Sequence, residues 1–181
     1  RASQAPVIAC TVASNLRSAP FGTAPPSGLS ESTARQWQDL FDEGVQAEEA
    51  GDVSTAIDRY EQANELFDGS AELHFRLARL VLALQRPEDA REHFMKAREH
   101  FLQARELDTL RFRADSRLNE IVREVVARKN DAGVHLVDIE EAFASHAADG
   151  IPGDEYFFEH VHLTFAGNYA IARSVFEETA P

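Results

Sequence analysis

The sequence predicts a mainly α chain with a partial α/β unit, two helical hairpins being inserted between the strands of a small parallel sheet. Three observations predict it. The stretch from Trp37 to Ala104 repeats itself at an offset of 34 residues. A helix-period segment closes at Gly133 and runs straight into the short apolar segment Val134 to Ile139, the grammar of a parallel αβ unit. A second short, β-branched segment, Val7 to Val12, stands far away near the start of the chain.

Val7 to Val12 reads as a buried strand. Ser14 to Ser30, with Pro20, Pro25, Pro26, Gly22 and Gly28, reads as a loop or linker. At Ser30 the period becomes helical, with Ser30 as N-cap and Glu31 in the first turn. Two hairpins follow. Phe41 matches Phe75, Gly44 matches Ala78, Ala47 matches Val81, Ala56 matches Ala90, Tyr60 matches Phe94 and Ala63 matches Ala97. Small residues let paired helices approach, and the aromatic fills the space between them. Gly51-Asp52 and Arg86-Pro87 break the two hairpins at equivalent places. The spacing and the small-small-aromatic-small pattern resemble the tetratricopeptide repeat, which implies a surface that holds a peptide or protein partner.

A shorter repeat is nested in the second hairpin: His93 to Glu99 is followed by the near-copy His100 to Glu106. Seven residues is nearly two turns, so the duplication lengthens one helix, from Pro87 to about Leu107, without rotating its apolar face much. Arg111 to Ala132 is a further helix, with Leu118, Ile121, Val122, Val125 and Val126 as its apolar stripe and Gly133 as a left-handed C-cap. The strand Val134 to Ile139, a short helix from Glu140 to Ala148, a loop over Asp149 to Asp154 and a final helix capped by Thr164 and running to Glu178 complete the chain. Two strands are too few for an independent parallel sheet. This predicts a further half of the domain or self-association as a homo-oligomer.

Composition excludes several classes. A formal net charge of −13 disfavours nucleic acid and anionic membrane surfaces. No apolar run approaches the length of a membrane span. The single cysteine, Cys10, forms no intrachain disulfide and reads as a small buried hydrophobe. His160 and His162, spaced i, i+2, could meet Glu159, Asp154, Glu155 or His146, but no second ligand pair of fixed spacing supports a metal, and no cofactor is expected.

The stretch that carries chemistry is Glu159-His160-Val161-His162-Leu163-Thr164-Phe165-Ala166-Gly167-Asn168. A histidine that takes a proton must be held through its other nitrogen, and Glu159 lies three residues before His162. The helix beginning at Thr164 aims its positive end at the same place. This block resembles the last conserved block of the SGNH/GDSL-type hydrolases, with Glu159 where that family usually has Asp. The resemblance extends over Pro6 to Pro20 and Phe112 to Val175.

It implies an SGNH-type (flavodoxin-like) α/β domain, of which residues 1–29 and 109–181 form the C-terminal part and residues 30–108 a tetratricopeptide-like insert. It further implies a serine esterase acting on a small ester of a carbohydrate or lipid-like substrate, with His162 as general base and Glu159 orienting it. Asn15 and His160 are expected near the substrate pocket. The family's Gly-Asp-Ser block, which supplies the nucleophile, is not found in these 181 residues, so the chain alone is expected to be inactive. Ser14, which follows a strand, has no nucleophile-elbow context. Tyr156-Phe157-Phe158 is expected to pack the loop against the sheet or to wall a pocket. The alternative expectation is a non-catalytic tetratricopeptide-type protein-binding module on a hydrolase-like scaffold.

Overall fold

The computed structural model describes residues 6–84, 90–129 and 133–179. The elements run β1 (Val7–Cys10), α1 (Glu31–Glu49), α2 (Val53–Leu66), α3 (Ala71–Ala83), α4 (Ala90–Glu106), α5 (Ser116–Lys129), β2 (Val134–Val137), α6 (Ile139–His146) and α7 (Phe165–Thr179). The described residues are thus mainly helical with a small sheet. They divide into two compact units: a helical one over Ala19–Leu110, and an α/β one made of the residues up to Ser18 and those from Arg111 onward.

In the α/β unit, β1 and β2 pair in parallel, with Val7 opposite Val134 and Cys10 opposite Val137. Gly133 holds φ +69°, the left-handed turn that leads into β2. Both strands are shorter than expected, for identifiable reasons. β2 stops at Val137 because Asp138 becomes the N-cap of α6, its carboxylate accepting from the Glu141 amide. β1 ends with its partner, Cys10 standing opposite Val137 and the Thr11 amide donating to the Val137 carbonyl; beyond it Asn119 of α5 takes both backbone groups of Val12, its Oδ1 accepting the amide at 2.8 Å and its Nδ2 donating to the carbonyl at 2.9 Å. The side-chain amide thereby imitates a neighbouring strand, and Asn119 is fully buried.

This corrects the stripe expected on α5. Asn119 and Val126 face inward, while Leu118, Ile121 and Val125 are 46%, 44% and 48% exposed. Two backbone hydrogen bonds to a polar residue, not the apolar pattern, set the rotation of this helix. Cys10 is likewise exposed rather than buried. The core lies on the other side of the sheet, where Val137, Ile139, Phe143 and Phe157 pack with Ile8, Leu163 and Ile171.

In the helical unit, α1 packs along α2 and α3 along α4. Ser30, Asp52 and Ser70 cap α1, α2 and α3, each accepting a backbone amide of the first turn. Gly51, at φ +78°, turns the first hairpin. The break at Arg86-Pro87 lies outside the described residues. Ala56, Ala63, Ala78 and Ala97 are all fully buried, which is what close helix approach requires. Gly44 carries this furthest: a Cβ there would come within 2.5 Å of the Tyr60 ring.

The duplicated heptad changes the second hairpin. In the first, Phe41 meets Tyr60 with ring centroids 5.6 Å apart. The offset of 34 makes Phe94 the counterpart of Tyr60, but Phe94 is only half-buried. The ring against Phe75 is Phe101, at 5.9 Å and 1% exposed. Phe101 is the second heptad's copy of Phe94, so the added two turns hand the aromatic position to the copy.

Candidate functional site

The turn that carries Glu159 and His162 is closed from both sides. Phe157 and Leu163 form an antiparallel bridge. The Phe158 amide donates to the His162 carbonyl at 2.8 Å, and the Thr164 amide to the Tyr156 carbonyl at 2.9 Å. Phe157, 1% exposed, anchors this small hairpin in the core, Tyr156 packs on Phe143 with centroids 4.5 Å apart, and Phe158 points outward at 75% exposure. Thr164 caps α7: its hydroxyl accepts from the Gly167 amide and donates to the Glu155 carbonyl. Gly167 is needed for close approach, but to a loop rather than to the sheet, since a Cβ there would stand 2.3 Å from the Tyr156 carbonyl oxygen.

Within the turn, Glu159 Oε1 lies 2.5 Å from His162 Nδ1 and accepts the His162 amide at 2.7 Å and the Val161 amide at 3.3 Å. The carboxyl group is held down to a pKa of about 2. The His162 amide is the largest cause, with the His162 ring and the Val161 and His160 amides adding to it against desolvation. An ionised carboxylate on Nδ1 makes that nitrogen the donor, which leaves Nε2 as the nitrogen able to take a proton. The His162 side chain is 77% exposed, so the pair faces solvent. His160 sits on the far carboxylate oxygen, its Nδ1 3.5 Å from Glu159 Oε2.

Asn15 is tied to the same turn through the backbone, its amide donating to the His160 carbonyl at 2.9 Å. Its side chain is fully buried: Nδ2 donates to Asp154 Oδ1 at 3.0 Å and Oδ1 accepts the Arg17 amide. Asn15 therefore braces two loops with its side chain wholly covered. Ser14 beside it is 3% exposed, and its hydroxyl has no hydrogen-bond partner among the described residues. Arg17, which sequence reasoning passed over, clamps the loop that follows α6. Its Nη2 pairs with Asp149 at 2.9 Å and its Nε donates to the Ile151 carbonyl at 3.2 Å.

Two further polar groups hold the strand ends, and nothing in their local sequence marks them. Arg123 grips Asp138 with two hydrogen bonds of 2.7 and 2.9 Å and reaches Glu140 at 2.9 Å. Arg113, 5% exposed, donates to the carbonyls of Asn15 and Ser18. Among the described residues no group of three or more His, Cys, Asp or Glu is placed to hold a metal ion, and His146 is turned to the Ala142 carbonyl of its own helix.

The helical unit presents a different kind of surface. Along α1 and α3, Arg76 pairs with Glu48 and Glu72 at 2.8 Å each and lies over the Phe41 ring. Arg79 lies over Phe75 and remains 57% exposed. The charges thus cover aromatic rings that are half-buried at Phe41 and buried at Phe75. No described helix is long and apolar enough to cross a membrane.

No curated protein and no solved structure matches this chain. The family model described as tetratricopeptide repeat matches residues 47–111, about a third of the chain, from the last turn of α1 through α4.

Proposed function

We propose that the chain acts through its helical unit as a protein-interaction module. The observation that carries this is the small-residue-packed hairpins α1–α2 and α3–α4, of which the tetratricopeptide repeat model matches residues 47–111, from the last turn of α1 through α4. Such repeats present the residues of successive helices to an extended peptide or a partner helix. Here Phe41, Glu48, Glu72, Arg76 and Arg79 are the residues available for it. Peptide-display selection against the 181-residue chain, with the double variant Phe41→Ala, Arg79→Glu as counter-target, tests the reading. Peptides retained by the chain and lost by the variant support it; equal retention overturns it.

A second reading is favoured by one specific observation, the 2.5 Å contact of Glu159 with His162 Nδ1. On this reading it would be the orienting contact of an acid–histidine pair like that of the SGNH-type serine esterases. His162 Nε2 would take the proton of a serine hydroxyl as that oxygen attacks an ester carbonyl, then deliver it to the departing alkoxide. On this reading the attacking serine would have to come from a Gly-Asp-Ser block, which these 181 residues do not contain, so the chain alone would not turn over an ester. Two measurements with p-nitrophenyl acetate check this. The chain alone should show no turnover that depends on Glu159 and His162. A longer polypeptide joining it to a Gly-Asp-Ser block should show turnover that His162→Ala removes. Activity of that polypeptide unaffected by His162→Ala would leave only the scaffold reading.

A further inference from the structure

The segment from Ala19 to Ser30 carries no charged side chain, in a chain of net charge −13. In the structure it is not a free linker. The amides of Phe21 and Gly22 donate to the two carboxylate oxygens of Asp108, and the Thr109 amide donates to the Gly22 carbonyl at 3.2 Å. Further on, Thr23 reaches α3: its hydroxyl shares a hydrogen bond with Ser70 Oγ at 3.1 Å and accepts the Glu72 amide at 3.4 Å.

Exposure then alternates, with Thr23 and Pro25 exposed and Ala24 and Pro26 half-buried. That is the pattern of an extended segment laid along a surface. Beneath it lies a cavity of about 290 Å³ lined by Thr23, Pro25, Pro26, Trp37, Phe41 and Glu72. Trp37 and Phe41 are stacked with centroids 5.1 Å apart, an aromatic floor under two successive prolines. Proline-rich segments dock on such floors because their backbone is already extended and loses little entropy on binding.

We propose that the α1–α3 face is a groove for an uncharged, proline-containing extended peptide, and that Thr23 to Pro26 occupies it as an internal strap which such a peptide displaces. The inference rests on the protein-interaction reading and names the chemistry of the ligand. The occupant's class comes from the strap itself: no charge, two prolines, and one hydroxyl for Ser70 and the Glu72 amide. A tethered strap competes at the millimolar effective concentration typical of short linkers, so the groove of the intact chain is partly closed.

Trp37 is the only tryptophan, so its fluorescence reports this groove directly. The probe is a synthetic peptide of residues Pro20 to Gly28. The host is the full chain carrying Ala24→Asp and Pro26→Asp, which places charge on the two half-buried positions of the strap. The peptide should bind this variant saturably, bind the unaltered chain at least tenfold more weakly, and lose binding when Phe41→Ala is added. Thr23→Val gives a second measure, since it should speed hydrogen exchange of the Glu72 amide and raise peptide affinity. Equal affinity for strapped and unstrapped chains overturns the proposal. So does a strap variant that keeps its helical circular dichroism yet does not bind, or Thr23→Val leaving both readouts unmoved. A display selection that returns only charged or helical peptides overturns this inference and leaves the broader protein-interaction reading standing. Failure to find any peptide dependent on Phe41 removes both.

Discussion

One oxygen of Glu159 holds His162 twice, by the ring at Nδ1 (2.5 Å) and by the backbone amide (2.7 Å). The ring is fixed relative to its own main chain by one carboxylate. Because the pKa of Glu159 is depressed to about 2, the arrangement is complete above the ordinary glutamate range and is lost as pH falls through about 2. The Glu159 carboxyl carbon resonance should show no titration between pH 7 and pH 4, and its midpoint should lie far below that of an exposed glutamate. Glu159→Gln should abolish the downfield Nδ1 proton of His162 while leaving the helical circular dichroism unchanged.

His74 and His100 should make the helical unit acid-sensitive. His74 Nε2 faces the Asp68 carbonyl at 2.8 Å, so that nitrogen carries the hydrogen. Its Nδ1 is then the acceptor, and His100 Nδ1 donates to it at 2.9 Å. Burial pushes His74 down, and burial, His74 and Lys96 push His100 down to about 4; Asp68 and Glu99 oppose the shift at His74, and Glu61 opposes it at His100. The unfolded chain takes up protons first, so stability is full above about pH 6.5 and is lost as pH falls toward 4. The loss from His100 is on the order of 3 kcal/mol, read as the urea midpoint at pH 7 against pH 4.5. His100→Gln should flatten that dependence.

Asn119 should be far more sensitive to substitution than the leucine beside it. Asn119→Ala takes away the partner of both the amide and the carbonyl of partly exposed Val12 and empties a fully buried side-chain position, and should cost about 1–3 kcal/mol. Leu118, 46% exposed, should lose less than about 1 kcal/mol as Leu118→Ala. Equal effects in urea denaturation would mean that the apolar stripe, not the side-chain amide, sets this helix.

Gly44→Ala should destabilise although alanine favours helices. The added methyl would stand 2.5 Å from a fully buried tyrosine ring, overpacking toward the upper end of its usual cost, about 3 kcal/mol, against a propensity gain of about 1 kcal/mol. Gly44→Ala with Tyr60→Leu should recover part of the loss, because the smaller side chain vacates the contact.

The sequence by itself determined the elements and the local constellations. The helix cap at Ser30, the break at Gly51-Asp52, the left-handed glycine at 133 and the pairing of Glu159 with His162 three residues on all depend on neighbours within a few positions. Short-range geometry decides these whatever surrounds them. The offset of 34 residues was equally legible, since repeated packing needs repeated residue sizes.

Only the tertiary structure decided what depends on partners remote in sequence. Asn119 turns α5 through bonds to Val12, 107 residues away, against its own apolar pattern. Phe101 takes the place opposite Phe75 that the offset of 34 assigns to Phe94, a choice made by how α3 and α4 pack along their length. The segment read as a linker is laid on α3 because Thr23 finds Ser70 and the Glu72 amide, contacts that no local pattern announces. A buried hydrogen bond is strong and specific in direction but silent in sequence, since the same asparagine, threonine or arginine is equally at home in solvent.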